Sequence, residues 1–267
     1  MKTKLVVVGA AGRMGKRILA LATESSQFDI TAAVERPDHP DIGKDAGLVA
    51  VAASLNVKLT GTYPDAAAAD VAIDFSQPEA AIKTIDYCVN NKVALVLGTT
   101  GLGDLQREKI KAASKKIPVL YATNMSVGMN VLFNLVGKVA SMLGEEYDVE
   151  IIEQHHRFKK DAPSGSALTL AENICKATGR EFPASITYGR NGKEALRQQG
   201  TIGIHAIRAG DITGIHSVIF GTLGETVTIS HTAHTRDTFA RGALRAAKWL
   251  VGKKPGLYSM ADVLGIL

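Results

Sequence analysis

Leu5-Val6-Val7-Val8-Gly9-Ala10-Ala11-Gly12-Arg13-Met14-Gly15 decides the fold. Four consecutive apolar residues ended by glycine fit a short central strand buried on both faces. From Arg13 to about Ser26, Met14, Ile18, Leu21 and Ala22 then recur at helical spacing. The glycines between strand and helix permit a tight turn, close approach of a phosphate and close helix–strand packing. The free N–H groups and positive end of the helix face the same place. The spacing is G-x-x-G-x-x-G, not the commoner G-x-G-x-x-G, so the strand–turn–helix context carries the reading more than the glycine string does. Gly9, Ala10, Ala11, Gly12, Arg13, Met14 and Gly15 are therefore candidates to hold the pyrophosphate of a dinucleotide.

A second apolar run, Ile30 to Val34, ends at Glu35, 20 residues beyond Gly15. An acidic residue there takes the adenosine ribose hydroxyls in nicotinamide dinucleotide folds. Arg36 follows at once, and a guanidinium can pair with a 2′-phosphate that a carboxylate disfavours, so the couple points to use of both NADH and NADPH. Strand and helix patterns keep alternating: Val71 to Phe75, Pro78 to Val89, Val93 to Leu97, Asp104 to Ser114, Ile117 to Tyr121. Such repetition reads as a doubly wound parallel sheet with helices on both faces. The carboxyl ends of neighbouring strands line one crevice, which adds Gly98, Thr99 and Thr100, then Ala122, Thr123, Asn124 and Met125, as candidates near the nicotinamide and its ribose.

Beyond Thr123 the grammar changes. A helix pattern from Asn130 to Leu143 precedes a strand at Val149 to Glu153, a very polar stretch at His155 to Gly165 and a helix at Ser166 to Ala177. Strand-like segments follow around Ser185 to Tyr188, Thr201 to Arg208, His216 to Phe220 and Thr226 to His231. The whole is an α/β protein, a Rossmann-like parallel-sheet domain with a second domain of α+β type and a mixed or antiparallel sheet. A last long helix, Thr238 to Val251, could cap either domain. There is no internal repeat.

The 267 residues lie between one large and two medium domains. With 46% hydrophobic and 21% charged residues, disorder is excluded as the main state. Aromatics at 5% are few for a nucleic-acid stacking platform, and the net charge of +5 is spread along the chain, which suits an enzyme for small anions. Cys88 and Cys175 lack metal or redox spacing and read as buried thiols. The apolar start is too short for a signal peptide, no run reaches the 18 apolar residues of a membrane span, and a cytoplasmic location is the expectation.

The densest chemistry is Glu153-Gln154-His155-His156-Arg157-Phe158-Lys159-Lys160-Asp161-Ala162-Pro163-Ser164-Gly165-Ser166. Arg157, Lys159 and Lys160 beside two histidines suggest an anionic substrate. Ser164-Gly165-Ser166 at the mouth of the next helix adds hydroxyl and N–H donors for a carboxylate. Phe158 has no titratable group and is assigned to packing. A zinc site is not expected: there is no H-E-x-x-H, adjacent strand side chains face opposite ways, and His205, His216, His231 and His234 could converge only through tertiary folding.

These stretches, with Asn124 to Asn130 and Arg208-Ala209-Gly210-Asp211-Ile212, resemble over essentially the whole chain the 4-hydroxy-tetrahydrodipicolinate reductase (dihydrodipicolinate reductase) family of diaminopimelate and lysine biosynthesis. The resemblance implies hydride transfer from NADH or NADPH to C4 of a cyclic imine dicarboxylate, with loss of the 4-hydroxyl as water. It implies His155 and Lys159 as the proton-transfer pair, and His156, Ser164, Gly165 and Ser166 near the substrate carboxylates. It further implies a discontinuous cofactor domain (1–126 completed by 236–267) around a substrate and oligomerisation domain (127–235), and a homotetramer formed through sheets of the latter. Neither nucleic acid nor membrane is expected as a partner. Three positions depart from the family pattern: Ser166 stands where threonine is frequent, Met125 where an aromatic is frequent, and Gln77 where some relatives have arginine, a loss that favours NADH slightly. The competing readings are another nicotinamide-dependent reductase of a small anionic substrate and a non-catalytic NAD-binding sensor. A thioester-forming semialdehyde enzyme would need an activated cysteine, which neither Cys88 nor Cys175 resembles. A sensor would leave the charged His155 to Lys160 segment without a purpose.

Overall fold

The computed structural model describes residues 1–51, 53–65 and 69–266. The chain divides into two compact units, Met1–Val127 with Arg236–Gly265, and Gly128–Thr235 with Ile266. Leu267, the end of the expected 236–267 segment, lies outside the described residues.

In the first unit, β1 (Thr3–Val8), β2 (Phe28–Val34), β3 (Leu59–Thr60), β4 (Val71–Asp74), β5 (Ala94–Leu97), β6 (Pro118–Tyr121) and β12 (Gly256–Tyr258) form one sheet in the order β12-β6-β5-β4-β1-β2-β3. Every pairing is parallel. The helices are α1 (Arg13–Glu24), α2 (Ala46–Ala50), α3 (Pro78–Asn91), α4 (Asp104–Ser114), α7 (Asp237–Leu250) and α8 (Met260–Leu264). The all-apolar run of β1 serves two cores. Leu5 and Val7 pack with α1 and α7, while Val6 and Val8 pack with α3 and α4. The order reverses between β1 and β4, so a crevice opens at their carboxyl ends.

Helix α7, which sequence leaves free to cap either domain, lies in the first unit against α1, β4, β5 and β6. Its Gly242 sits on the Met125 carbonyl, where a Cβ would overlap the oxygen. Three elements escape the sequence reading: α2, β3 and β12. Each is five residues or shorter.

The second unit contains α5 (Val127–Leu143), apart from its first residue, with β7 (Asp148–His155), α6 (Gly165–Thr178), β8 (Ile186–Tyr188), β9 (Ile202–Arg208), β10 (Gly214–Thr222) and β11 (Glu225–Ala233). Its sheet runs β11-β10-β7-β9-β8. The β10 pairings are antiparallel and those of β9 parallel, a mixed sheet. Helices α5 and α6 pack with one face of it, over Val149, Ile151, Ile202, Ile204, Val218 and Phe220. Because side chains alternate along a strand, Glu153 falls on the face of Val149 and Ile151, and His216 on the face of Val218 and Phe220. The register sets His216 opposite Glu153, so two polar groups meet at the end of an apolar face.

On an open helix a glycine-to-alanine change stabilises by about 1 kcal/mol. Gly242→Ala should reverse that sign and destabilise by about 1–3 kcal/mol through overpacking against Met125, read as a lower urea midpoint at unchanged slope.

Candidate active site

In the first unit the turn after β1 owes its shape to its glycines. Gly9 has φ +75°, and a Cβ there would stand 3.0 Å from the Phe75 carbonyl oxygen. At Gly15 a Cβ would overlap the Gly9 carbonyl oxygen, so glycine is what lets α1 approach β1. Gly12 is the N-cap of α1 and supplies no side-chain cap, which leaves the first-turn N–H groups without a side-chain acceptor. A cleft of about 630 Å³ opens beside this turn, lined by Gly9, Gly12, Glu35, Arg36, Gln77 and Lys83 among others. Its size and its uncapped helix start fit a dinucleotide.

Glu35 holds the turn from the end of β2. Its Oε2 accepts from Ala11 N and its Oε1 from Arg36 N, both at 3.0 Å. Arg36 Nη1 lies 2.9 Å from Asp38 Oδ2 in an exposed pair. Ala10 is buried, and Gly9 N and Ala10 N both donate to Val34 O. Arg13 is exposed and Met14 half-buried at the start of α1.

The later loops divide between structure and surface. Gly98 lies under the Phe75 ring, which a Cβ would strike. Thr99 is buried and its hydroxyl donates to Asp74 Oδ1 at 3.2 Å, the oxygen that also accepts from Ser76 N at 2.7 Å. Burial pushes the Asp74 carboxyl up. Met125 is core, with 1% exposure. Thr100 and Thr123 are exposed, and Ala122 and Asn124 half-buried, so these four keep side-chain surface for a ligand.

In the second unit the site is built on Glu153, which has no exposed surface. Arg208 clasps it with a fork, Nη1 to Oε2 at 2.8 Å and Nη2 to Oε1 at 2.7 Å. His155 Nδ1 lies 2.6 Å from Oε2, and Ser164 N donates to Oε1 at 3.0 Å. Burial alone would raise this carboxyl; the bonds from His155, Arg208 and Ser164 outweigh it and hold it at about 2. An ionised carboxylate only accepts, so His155 donates from Nδ1. Its Nε2 lies over Gly214, where a Cβ would stand 3.3 Å away.

Ser164 caps α6, its Oγ accepting from Ala167 N at 3.2 Å, and His216 Nε2 lies 3.1 Å from the same oxygen. The His216 and His155 rings meet edge to face at 5.1 Å. Burial, then the charge of His155, pushes His216 down to about 3, so it is neutral. Gly165 is exposed, with nothing within 4 Å of a Cβ placed on it, and Ser166 is half-buried beside it. His156 is half-buried, and its carbonyl accepts from Lys159 N at 3.1 Å. Lys159 Nζ pairs with Asp161 at 2.9 Å. The arrangement offers an oriented imidazole, an ammonium and an open helix start, the parts of a proton-transfer site for a carboxylate-bearing substrate.

Residues 3–125 and 128–264 match the models for the N-terminus and C-terminus of dihydrodipicolinate reductase. The chain belongs to that family. It is 45% identical to the 4-hydroxy-tetrahydrodipicolinate reductase of Geotalea daltonii, over 98% of this chain and 99% of the relative. The Geobacter sulfurreducens enzyme of the same name is also 45% identical, over 99% of each. Among solved structures, dipicolinate-bound dihydrodipicolinate reductase from Paenisporosarcina sp. TG-14 superposes over 100% of both chains with TM-score 0.77 at 24% identity. Aspartate dehydrogenase from Thermotoga maritima also matches, with TM-score 0.52 at 14% identity, over 95% of this chain and 99% of that one. These two share the fold. The reaction of the family member described here is the NAD(P)H-dependent reduction of 4-hydroxy-tetrahydrodipicolinate in diaminopimelate and lysine biosynthesis.

One expectation needs correction. Phe158 is not packed into a core: it is 78% exposed in the turn beyond β7. Of the three cations, Arg157 and Lys160 are exposed and Lys159 is half-buried. His216 does meet His155, but no group of His, Cys, Asp or Glu among the described residues could hold a metal ion. Sequence reasoning gave no role to Glu153, Arg208 or His216. The signal was present: a charge or imidazole at an apolar-phase position of a strand must have a partner.

Glu153 is depressed from 4.5 to about 2 and His216 from 6.5 to about 3. Both bind protons more weakly folded than unfolded, so acid removes their contributions to stability. That of His216 is complete above pH 6.5 and falls toward pH 3; that of Glu153 falls only below about 4.5. Between these thresholds the loss belongs to His216 and to His231, which burial also lowers. His216→Gln should therefore flatten the urea midpoints measured at about pH 7, 6 and 5.

Proposed function

We propose that the reduction uses His155 and Lys159 as its proton-transfer pair and His156, Ser164, Gly165 and Ser166 as receivers of the substrate carboxylates. The observation that carries this reading is the Glu153–His155 bond. The carboxylate fixes the imidazole with Nδ1–H inward, leaving Nε2 as the atom that faces away and can exchange a proton. Bound NADH or NADPH supplies hydride to C4 of the ring. Electron density that reaches the ring nitrogen and the departing 4-hydroxyl needs a proton donor within reach, and His155 Nε2 or Lys159 Nζ is that donor. Lys159 also offers charge to a carboxylate in exchange for Asp161.

Gly9 to Gly15, Glu35, Arg36 and the surface-facing members of the later loops are read as the cofactor's contacts, with Gly98, Thr99 and Met125 contributing through their backbones. The deciding experiment is a coupled assay that supplies pyruvate and aspartate semialdehyde with a dihydrodipicolinate synthase and follows loss of NADH or NADPH absorbance. No substrate-dependent oxidation of either cofactor would remove the assignment.

The domains are read as a cofactor domain, 1–126 with 236–267, and a substrate and oligomerisation domain, 127–235. The chain is read as a cytoplasmic homotetramer joined through the second sheet, with no nucleic-acid or membrane partner. Two buried, unpaired thiols suit a reducing compartment, and among the described residues no helix is long and apolar enough to cross a membrane. The nine-residue edge strand β11, largely exposed, is the kind of edge that assembly covers. Sedimentation of a monomer at micromolar concentration would contradict the tetramer.

Both cofactors should support turnover within about an order of magnitude of each other. Arg36→Ala should weaken NADPH use more than NADH use, by up to the roughly 1.5–3 kcal/mol of a phosphate pair. The Asp38 pairing and Gln77 both lean toward NADH, and equal effects on the two kcat/KM values would rule the role out. His155→Gln should keep its circular dichroism and NADH affinity while kcat falls roughly 10²-fold. A near-native kcat would take His155 out of the mechanism.

A further inference from the structure

Ser164 Oγ is approached from two sides, by Ala167 N–H and by His216 Nε2. A hydroxyl has two lone pairs and one proton, so the direction of its proton depends on which nitrogen of His216 carries hydrogen. His216 is 3% exposed, and its Nδ1 has no hydrogen-bond partner among the described residues. A buried N–H without an acceptor is a rarer defect than a buried lone pair without a donor. Hydrogen on Nδ1 would leave a donor that nothing there can accept from, whereas hydrogen on Nε2 bonds to Ser164 and passes the unmet donor to the Ser164 hydroxyl, which a carboxylate at the start of α6 can satisfy. With both lone pairs of Ser164 filled, its own proton is turned away from both donors, at the head of α6. Ser164 is itself 2% exposed, so that proton needs an acceptor, and the next residue, Gly165, is exposed.

We propose that His216 is a positioning residue that presets Ser164 as a hydroxyl donor to a carboxylate of the substrate. The proposal rests on reading the start of α6 as the carboxylate site. An apolar residue would fill this place in the core at less desolvation cost, and the N-cap bond to Ala167 needs no imidazole. The tautomer is what the histidine adds. Its surroundings keep it uncharged: on β7, Glu153 lies opposite and His155 edge-on, β11 brings His231 opposite, and Lys159 approaches from the loop.

The test uses the full-length chain with NADH bound, pyridine-2,6-dicarboxylate as probe and substrate kinetics beside it. His216→Leu should raise substrate KM and the probe's Kd about tenfold, the loss of one oriented bond to a charged group, with kcat within about threefold and NADH affinity unchanged. His216→Gln, which keeps an N–H near the Nε2 position, should restore most of the affinity. In a Ser164→Ala background, His216→Leu should add nothing further. Native KM in His216→Leu, or an undiminished effect in that background, would overturn the proposal while leaving the carboxylate site standing. Native probe affinity in Ser164→Ala would remove Ser164 from the site and the proposal with it. Should His216→Leu not fold, long-range ¹⁵N–¹H spectra of the unaltered protein at about pH 6–8 decide alone: hydrogen on Nε2 supports the assignment, hydrogen on Nδ1 overturns it.

Discussion

A carboxylate with no exposed surface must be satisfied where it sits, and Glu153 is satisfied by three groups from three elements: the Arg208 fork at the end of β9, His155 on its own strand, and the N–H of Ser164 ahead of α6. Removing one partner leaves an incompletely paired buried charge, at a cost of about 3–5 kcal/mol. The three are therefore fixed relative to one another. Arg208 also donates to the Asp161 carbonyl at 2.7 Å, and the backbones of His155 and Arg157 bond to Ala209 and Gly210. The polar segment between β7 and α6 is thereby tied at its start, near its end and against the β9–β10 turn. A loop so rich in charge would otherwise be free to move.

The first unit achieves its order by a different route. Around the turn after β1 the positioning is done by absent side chains, at Gly9, Gly12 and Gly15, and by backbone N–H groups that meet Val34 and Glu35. This route tolerates wide change in sequence, because a β-strand followed by a glycine turn and a helix start recurs wherever a dinucleotide is held. Fold likeness to an aspartate dehydrogenase at 14% identity therefore says nothing about substrate. Under the proposed reading, the substrate is distinguished by the other unit, where the Glu153 cluster depends on specific charged side chains.

How much was legible follows from the same division. Long periodic elements and the doubly apolar run Leu5 to Val8 read directly, since burial on one stripe or on both faces leaves a pattern in the residues themselves. The elements α2, β3 and β12 left none. Gly98 makes room for Phe75 and Thr99 bonds to buried Asp74, tertiary contacts that leave no local trace in the sequence. Glu153 and His216 were readable in principle as polar residues in apolar phase. Their partners were not, because Arg208 and Ser164 reach them across 55 and 52 residues of chain.

The three cations that suggest an anionic substrate in the sequence differ in their surroundings. Arg157 and Lys160 stand in water, and under the proposed reading they favour the approach of a dianion without holding it. Lys159 is held back, paired with an Asp161 whose side chain is 61% exposed. A pair so open to water is worth at most about 1 kcal/mol, so a substrate carboxylate can replace Asp161 at little cost. The Arg208 fork, by contrast, is committed to Glu153 and cannot serve a ligand without stranding a buried charge. Under the proposed reading, the cation that binds substrate is the one whose existing partner is cheapest to give up, and the cation with the stronger partner keeps the imidazole in place.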